Sequence, residues 1–190
     1  MKEYDIVGSA YRKVRSPEVG LPELIKCAKS FNREISILDI GCGNGFPIAE
    51  SLIKYSNRYL GIDSSKVLAK EFSTNIPEAE IMICSMDKMA LNGEQFDLVF
   101  GFGSFFHLPP EPQKIALVKA AKAVAPNGKF IFNSHTKSDY VEGTVAGVKV
   151  PHWSLDQNEY IELLESHKLT YNGFHIGSGS NGFTHFIDKP

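Results

Sequence analysis

The residues of this chain best suited to chemistry are two acids and three glycines placed around one strand-to-helix turn. The run Ile37-Leu-Asp-Ile-Gly-Cys-Gly-Asn-Gly45 is an apolar strand bearing one acid, Asp39, and ending in glycines at 41, 43 and 45. A helix-like segment from Pro47 to Tyr55 follows at once. Glycines lack a Cβ and tolerate positive φ, so the backbone here can come close to a ligand. The first N–H groups of the helix are then free for something anionic or polar. A second short strand, Arg58 to Ile62, ends in Asp63. That acid falls about 20 residues after the first glycine, where a carboxylate can hold a ribose. The chemistry suggested is the binding of a nucleotide-like ligand.

One position bears on which nucleotide. A dinucleotide fingerprint needs a third glycine three places after the second, and Phe46 stands there. What remains, Asp-Ile-Gly-Cys-Gly-Asn-Gly, resembles the first motif of the class I S-adenosylmethionine-dependent methyltransferases. The resemblance implies S-adenosyl-L-methionine as cofactor and S-adenosyl-L-homocysteine as product. It implies that Asp39, Gly41, Cys42, Gly43 and Asn44 border the methionyl part, with Asp39 beneath the turn facing the ammonium through water. Asp63 would meet the ribose, and Ser64 next to it is a further cofactor-binding candidate. An N-cap is the plainer reading of Asp63, although Ser64 or Ser65 can serve as the cap.

Two later segments extend the resemblance. Ile81-Met-Ile-Cys-Ser-Met-Asp87 ends a third strand in an acid, and the family pattern implies that Met86 touches the adenine ring and Asp87 its amino group. In Phe96-Asp-Leu-Val-Phe-Gly-Phe-Gly-Ser-Phe-Phe-His-Leu-Pro109, Asp97 reads as structural. Gly101, Phe102 and Gly103 lie where the carboxyl end of a strand meets the ligand crevice of an open α/β sheet. Carbonyls there suit the cofactor ammonium, and the Phe102 ring suits the sulfonium, a cation–π contact of about 0.5–2 kcal/mol. His107 is the candidate for orienting the acceptor or taking its proton; a satisfied loop histidine is the alternative.

The elements that position these residues alternate between strand and helix signals, as in a mostly parallel sheet with helices on both faces. Strands are predicted near 35–40, 58–62, 79–84, 96–101 and 129–134. Helices are predicted near 21–28, 46–56, 64–73 and 111–124, the last stopping at Pro126-Asn127-Gly128. After a helix at 154–167 come strands near 169–176 and 183–187, joined by a glycine-serine turn at 177–182; these should pair antiparallel. The predicted fold is a Rossmann-like α/β three-layer sandwich, with a seven-stranded, mostly parallel sheet and a C-terminal antiparallel hairpin.

Residues 1–190 read as a single domain. Residues 1–20, with Tyr4, Tyr11 and Pro17, form an arm without a clear period, residues 21–190 the core, and 136–153 a long loop suited to a substrate wall. Tyr4, Tyr11, His107, His135 and Trp153 then suggest an aromatic-lined pocket for a small-molecule acceptor. His167 and His175 read as structural.

Bulk properties narrow the partners. Hydrophobic content of 43% and a net charge of −2 suit an ordinary globular protein and offer no electrostatic case for nucleic acid. No apolar run spans a membrane, no Cys/His cluster has zinc spacing, and three scattered cysteines suit a cytoplasmic setting. Two other functions share much of this logic. One is a sensor or partner subunit that binds S-adenosylmethionine without transferring its methyl group. The other is a nicotinamide-dependent oxidoreductase, disfavoured by Phe46 and the closing hairpin.

Overall fold

The computed structural model describes residues 2–16, 18–135, 137–176 and 183–190; the glycine-serine turn at 177–182 lies outside them. The strands are β1 (Ile35–Ile40), β2 (Ser56–Asp63), β3 (Glu80–Ile83), β4 (Phe96–Gly101), β5 (Val124–Ser134), β6 (Asp139–Val145), β7 (Val148–Ser154), β8 (Thr170–Ile176) and β9 (Phe183–Asp188). Seven of them make one sheet in the order β3-β2-β1-β4-β5-β9-β8. The pairs from β3 through β5 are parallel, and β9 runs antiparallel to both β5 and β8.

The near-continuous apolar run in β1 reflects burial on both faces. Leu38 and Ile40 pack toward α6 (Pro110–Lys122) and α7 (Gln157–Glu165), beside Leu117, Ala120 and Leu164. Ile35 and Ile37 face the other way, toward α3 (Leu21–Ser30), α4 (Ile48–Leu52) and α5 (Lys66–Asn75), beside Leu24, Ala49 and Phe72. Each such aliphatic side chain contributes roughly 1.5–3 kcal/mol on burial. These two layers hold the strand ends, and hence the turns after them, in fixed positions. Among the described residues no helix is long and apolar enough to cross a membrane.

Four segments differ from expectation. The N-terminal arm is helical: α1 (Lys2–Val7), a 3-10 turn at Gly8–Ala10 and α2 (Tyr11–Val14) lie against Leu68 of α5 through Val7 and Tyr11. Segment 136–153 holds a hairpin, not a loop, because β6 and β7 pair in register from Asp139↔Ser154 to Val145↔Val148. The helix predicted over 154–167 is shorter, since β7 runs through Ser154 and Asp156 caps α7 in a capping box with Glu159. Pro126-Asn127-Gly128 falls inside β5, at a register shift where Phe96 faces Val124 and Leu98 faces Lys129.

Candidate active site

Between β1 and β4 the strand order reverses, the place where open α/β sheets bind ligands. A narrow cleft, with a free volume of about 40 Å³, lies there, walled by Gly41, Gly43, Asp63, Met86, Ser104 and His107, with Tyr4 and Tyr11 of the arm over it. Gly41 has φ +82°, and a Cβ on it would collide with the Ser104 side chain. Gly43 has φ +56°, and a Cβ there would lie 3.1 Å from the Tyr11 ring. The glycines are therefore needed for two close approaches made by the protein itself.

Asp63 is tied to this turn. Its carboxylate accepts from the Gly43 N–H and from the Ser65 N–H, both at 2.8 Å. The N-cap of α5 is Ser65, whose hydroxyl accepts from the Leu68 N–H, so Asp63 is not used as the cap. Burial raises the Asp63 carboxyl above its ordinary range, and the two N–H donors oppose that rise. Beneath the turn Asp39 is 3% exposed and accepts from the Tyr59 hydroxyl at 2.8 Å. Burial pushes it up to about 7, against the Tyr59 hydrogen bond and the nearby positive charge of Arg15.

His107 is buried in a 3-10 turn after β4. Its Nδ1 lies 3.1 Å from the Pro151 carbonyl oxygen of β7, and its Nε2 lies 2.9 Å from the Tyr4 hydroxyl. Burial lowers it to about 4, so the ring is neutral near pH 7. The arm is fastened at further points. Ser65 donates to Asp5 at 2.7 Å, Arg12 pairs with Glu50 at 2.6 Å, and Arg15 donates to the Phe102 carbonyl at 3.0 Å.

A model of the family described as a methyltransferase domain matches residues 37–128, the stretch that carries the glycine turn, Asp63, Met86 and His107. Residues 37–128 therefore carry a methyltransferase domain. The fold of the chain is shared with the CcbJ methyltransferase from Streptomyces caelestis, with a TM-score of 0.77, 14% identity and 98% and 97% of the two chains covered. A TehB-like methyltransferase from Corynebacterium glutamicum gives 0.67 at 20% identity, over 90% of this chain and 87% of that one. A tRNA U34 carboxymethyltransferase from Saccharophagus degradans is 25% identical over 122 residues, which span 60% of this chain and 35% of that protein.

The cleft gathers some of the residues singled out in the sequence and leaves others aside. Tyr4, Tyr11, Gly41, Gly43, Asp63, Ser64, Met86 and His107 all border it. Asp87 lies beside it in a short 3-10 turn, hydrogen-bonded to Ser85. Cys42 is turned into the core against Gly61. Asn44 points away and donates to Glu71 at 3.1 Å. At Gly101 the space for a side chain is filled by Phe105 and Ser104. The Phe102 ring is in the core against Gly20, because the apolar layer under α3 takes it, so it is not laid along the cleft as expected.

The expected substrate wall is also redrawn. Trp153 packs on Tyr140, with ring centroids 5.3 Å apart, and His135 is exposed at the end of β5. His152 comes nearer the site instead, its ring centroid 4.9 Å from that of His107. Asp97 is structural: it accepts from the Ser36 N–H and from Arg33, both at 2.8 Å. His167 bonds the Leu163 carbonyl within its own helix end, and the side chain of His175 lies outside what the structure describes.

Arg15, Ser104 and Gln113 were not singled out in the sequence. Gln113 is fully buried and donates to the carbonyls of Phe105, Leu108 and Trp153, joining α6 to the His107 segment and the hairpin. An inward polar position on the buried face of α6 was its only sequence signal.

Proposed function

We propose that this methyltransferase acts on a small-molecule acceptor held beneath the N-terminal arm. The supporting observation is the Tyr4–His107 contact, which brings the arm down onto the wall of the cleft and leaves a narrow, aromatic-walled space. The residues fit the family cofactor: an acid at the end of β2 for ribose hydroxyls, Met86 and Asp87 after β3 for adenine, and the buried acid Asp39 beneath the turn for an ammonium. When bound, S-adenosylmethionine supplies a methyl carbon already activated for displacement by its positive sulfur. The chain itself has to align the acceptor and exclude water, which can supply up to roughly 7–11 kcal/mol.

His107 has a limited part in proton transfer. Held neutral by burial, it is a weak base, and its lone pair is engaged by Tyr4. Such a site suits an amine or another acceptor that attacks without prior deprotonation, and suits an alcohol poorly. The acceptor then meets the Tyr4 oxygen, with Tyr11, Phe106 and His152 around it. Residues 1–190 work as one domain in this reading, in the cytoplasm.

A nucleic-acid acceptor is the second reading, because the curated relative carries tRNA in its name. The net charge of −2 favours the small molecule. Incubation with methyl-labelled S-adenosylmethionine, small amines and thiols in one arm and tRNA in another separates the two. Label in the small-molecule fraction is the expected result, and label in precipitated tRNA alone would overturn it. Cofactor binding without any transfer would favour a sensor or partner subunit.

A further inference from the structure

We infer that Arg15, carried by the arm, and the Ser104 hydroxyl form the seat for the carboxylate at the amino-acid end of the cofactor, opposite Asp39, so that this carboxylate fastens the arm in its closed position. The inference rests on the cleft being the S-adenosylmethionine site.

Arg15 reaches from the arm to the end of β4. Its Nη2 donates to the Phe102 carbonyl at 3.0 Å, and its Nη1 lies 2.5 Å from where a Cβ on Gly103 would be. Gly103 has φ +72°, with its N–H held by the Asn133 side chain at 2.7 Å, so the step is fixed and open to the guanidinium. The Nε of Arg15 is buried and has no hydrogen-bond partner. Ser104 borders the cleft at 3% exposure, and its Oγ is also buried without a partner.

Buried donors are nearly always satisfied, so two unsatisfied ones at the same glycine step mark the place of a missing acceptor. A guanidinium has five N–H donors in a planar fork and no acceptor, which matches a carboxylate. The order of groups along the sheet agrees. Met86 follows β3 and Asp63 ends β2, while Asp39 and Ser104 sit at the adjacent β1 and β4. A ligand laid across these strand ends would place its ring at β3, its sugar at β2 and its amino acid at β1 and β4. There the ammonium finds the Asp39 carboxylate and the carboxylate finds Arg15, opposite charges in matching positions. The backbone carbonyl of Phe102, read from the sequence as a partner for the ammonium, is taken by Arg15 instead.

Calorimetric titration of the full chain with S-adenosylhomocysteine and with 5′-methylthioadenosine, which lacks the amino acid, tests this. R15M should weaken S-adenosylhomocysteine about 10- to 100-fold, as expected for loss of a charged hydrogen-bonded partner, and leave 5′-methylthioadenosine within about twofold. R15K, which keeps the charge without the fork, should recover part of the loss. A second readout uses the arm itself. Trypsin cleavage at the exposed Arg12 and Lys13 should slow in the wild type with S-adenosylhomocysteine and not with 5′-methylthioadenosine. Equal weakening of both ligands, no weakening of either, or equal protection by both would overturn the inference. Failure of the wild type to bind either ligand would remove the cofactor-site reading as well.

Discussion

Tyr4 donates its phenolic proton to Nε2 of His107 across 2.9 Å. The direction follows from the other ring nitrogen. The Pro151 oxygen 3.1 Å from Nδ1 can only accept, so the proton of the neutral imidazole is on Nδ1 and Nε2 presents a lone pair. Two peripheral elements, the arm and the β6–β7 hairpin, thus meet on one histidine at the mouth of the cleft. Tyr4→Phe removes this donor. Its expected effect is an acceptor kcat/KM lowered by about tenfold, the scale of one hydrogen bond, with S-adenosylhomocysteine affinity within about twofold of wild type. Steady-state kinetics beside calorimetry checks it, and equal losses in both would remove Tyr4 from the acceptor side.

Asp63 joins the glycine turn to α5 through two backbone N–H groups. Asp63→Ala should weaken S-adenosylhomocysteine and 5′-methylthioadenosine alike, by roughly 1–3 kcal/mol, because both carry the ribose and a buried partner is lost. Unchanged affinity in titration would sink the ribose assignment.

Asp39 predicts a pH dependence of binding. Its carboxyl is raised to about 7 by burial, with Tyr59 and Arg15 acting in the opposite direction and Asp63 adding to the rise. An ammonium binds the ionised form, so affinity for S-adenosylhomocysteine should climb about tenfold between pH 6 and pH 8. Asp39→Asn should bind weakly with a flat profile. A wild-type profile equally flat would show that Asp39 is not facing the ammonium.

Folding stability should fall in mild acid for a separate reason. His185 is fully buried, stacked on Phe132 with centroids 4.7 Å apart, and its ring nitrogens are engaged by Ser134 and Tyr171. Burial lowers it to about 4. A base with a depressed folded-state value takes up fewer protons than the unfolded chain, so its contribution is present above the ordinary 6.5 and lost as pH falls toward 4. Between pH 7 and pH 5 that loss is about 2 kcal/mol. Urea unfolding at the two pH values should show H185Q losing less stability than the wild type. An identical loss would mean that His185 contributes nothing to the acid sensitivity.

The parts of the fold legible in the sequence were those whose signal is local. β1 and β4 carry apolar runs buried on both faces, and their observed limits agree with expectation. Segment 136–153 reads as a long loop in the sequence, whereas residues 139–145 and 148–154 pair as strands. The two-residue turn Ala146-Gly147 has both φ values positive, at 49° and 81°, and alanine is a poor signal for such a turn. The arm was opaque because its structure is determined by distant partners: Tyr4 meets a residue 103 positions away, Asp5 one 60 away and Arg12 one 38 away. The same separation hid Arg15. The glycine turn and Asp63 announced themselves, whereas the side chains that face one another across the cleft depend on where α1, α2 and the hairpin come to rest.

Calorimetric titration of the purified wild-type chain with S-adenosylmethionine, S-adenosylhomocysteine and NADH, side by side, tests the central claim most directly. The account predicts binding of both sulfur compounds with micromolar affinity and none of NADH. Binding of NADH alone, or of none of the three, would contradict it.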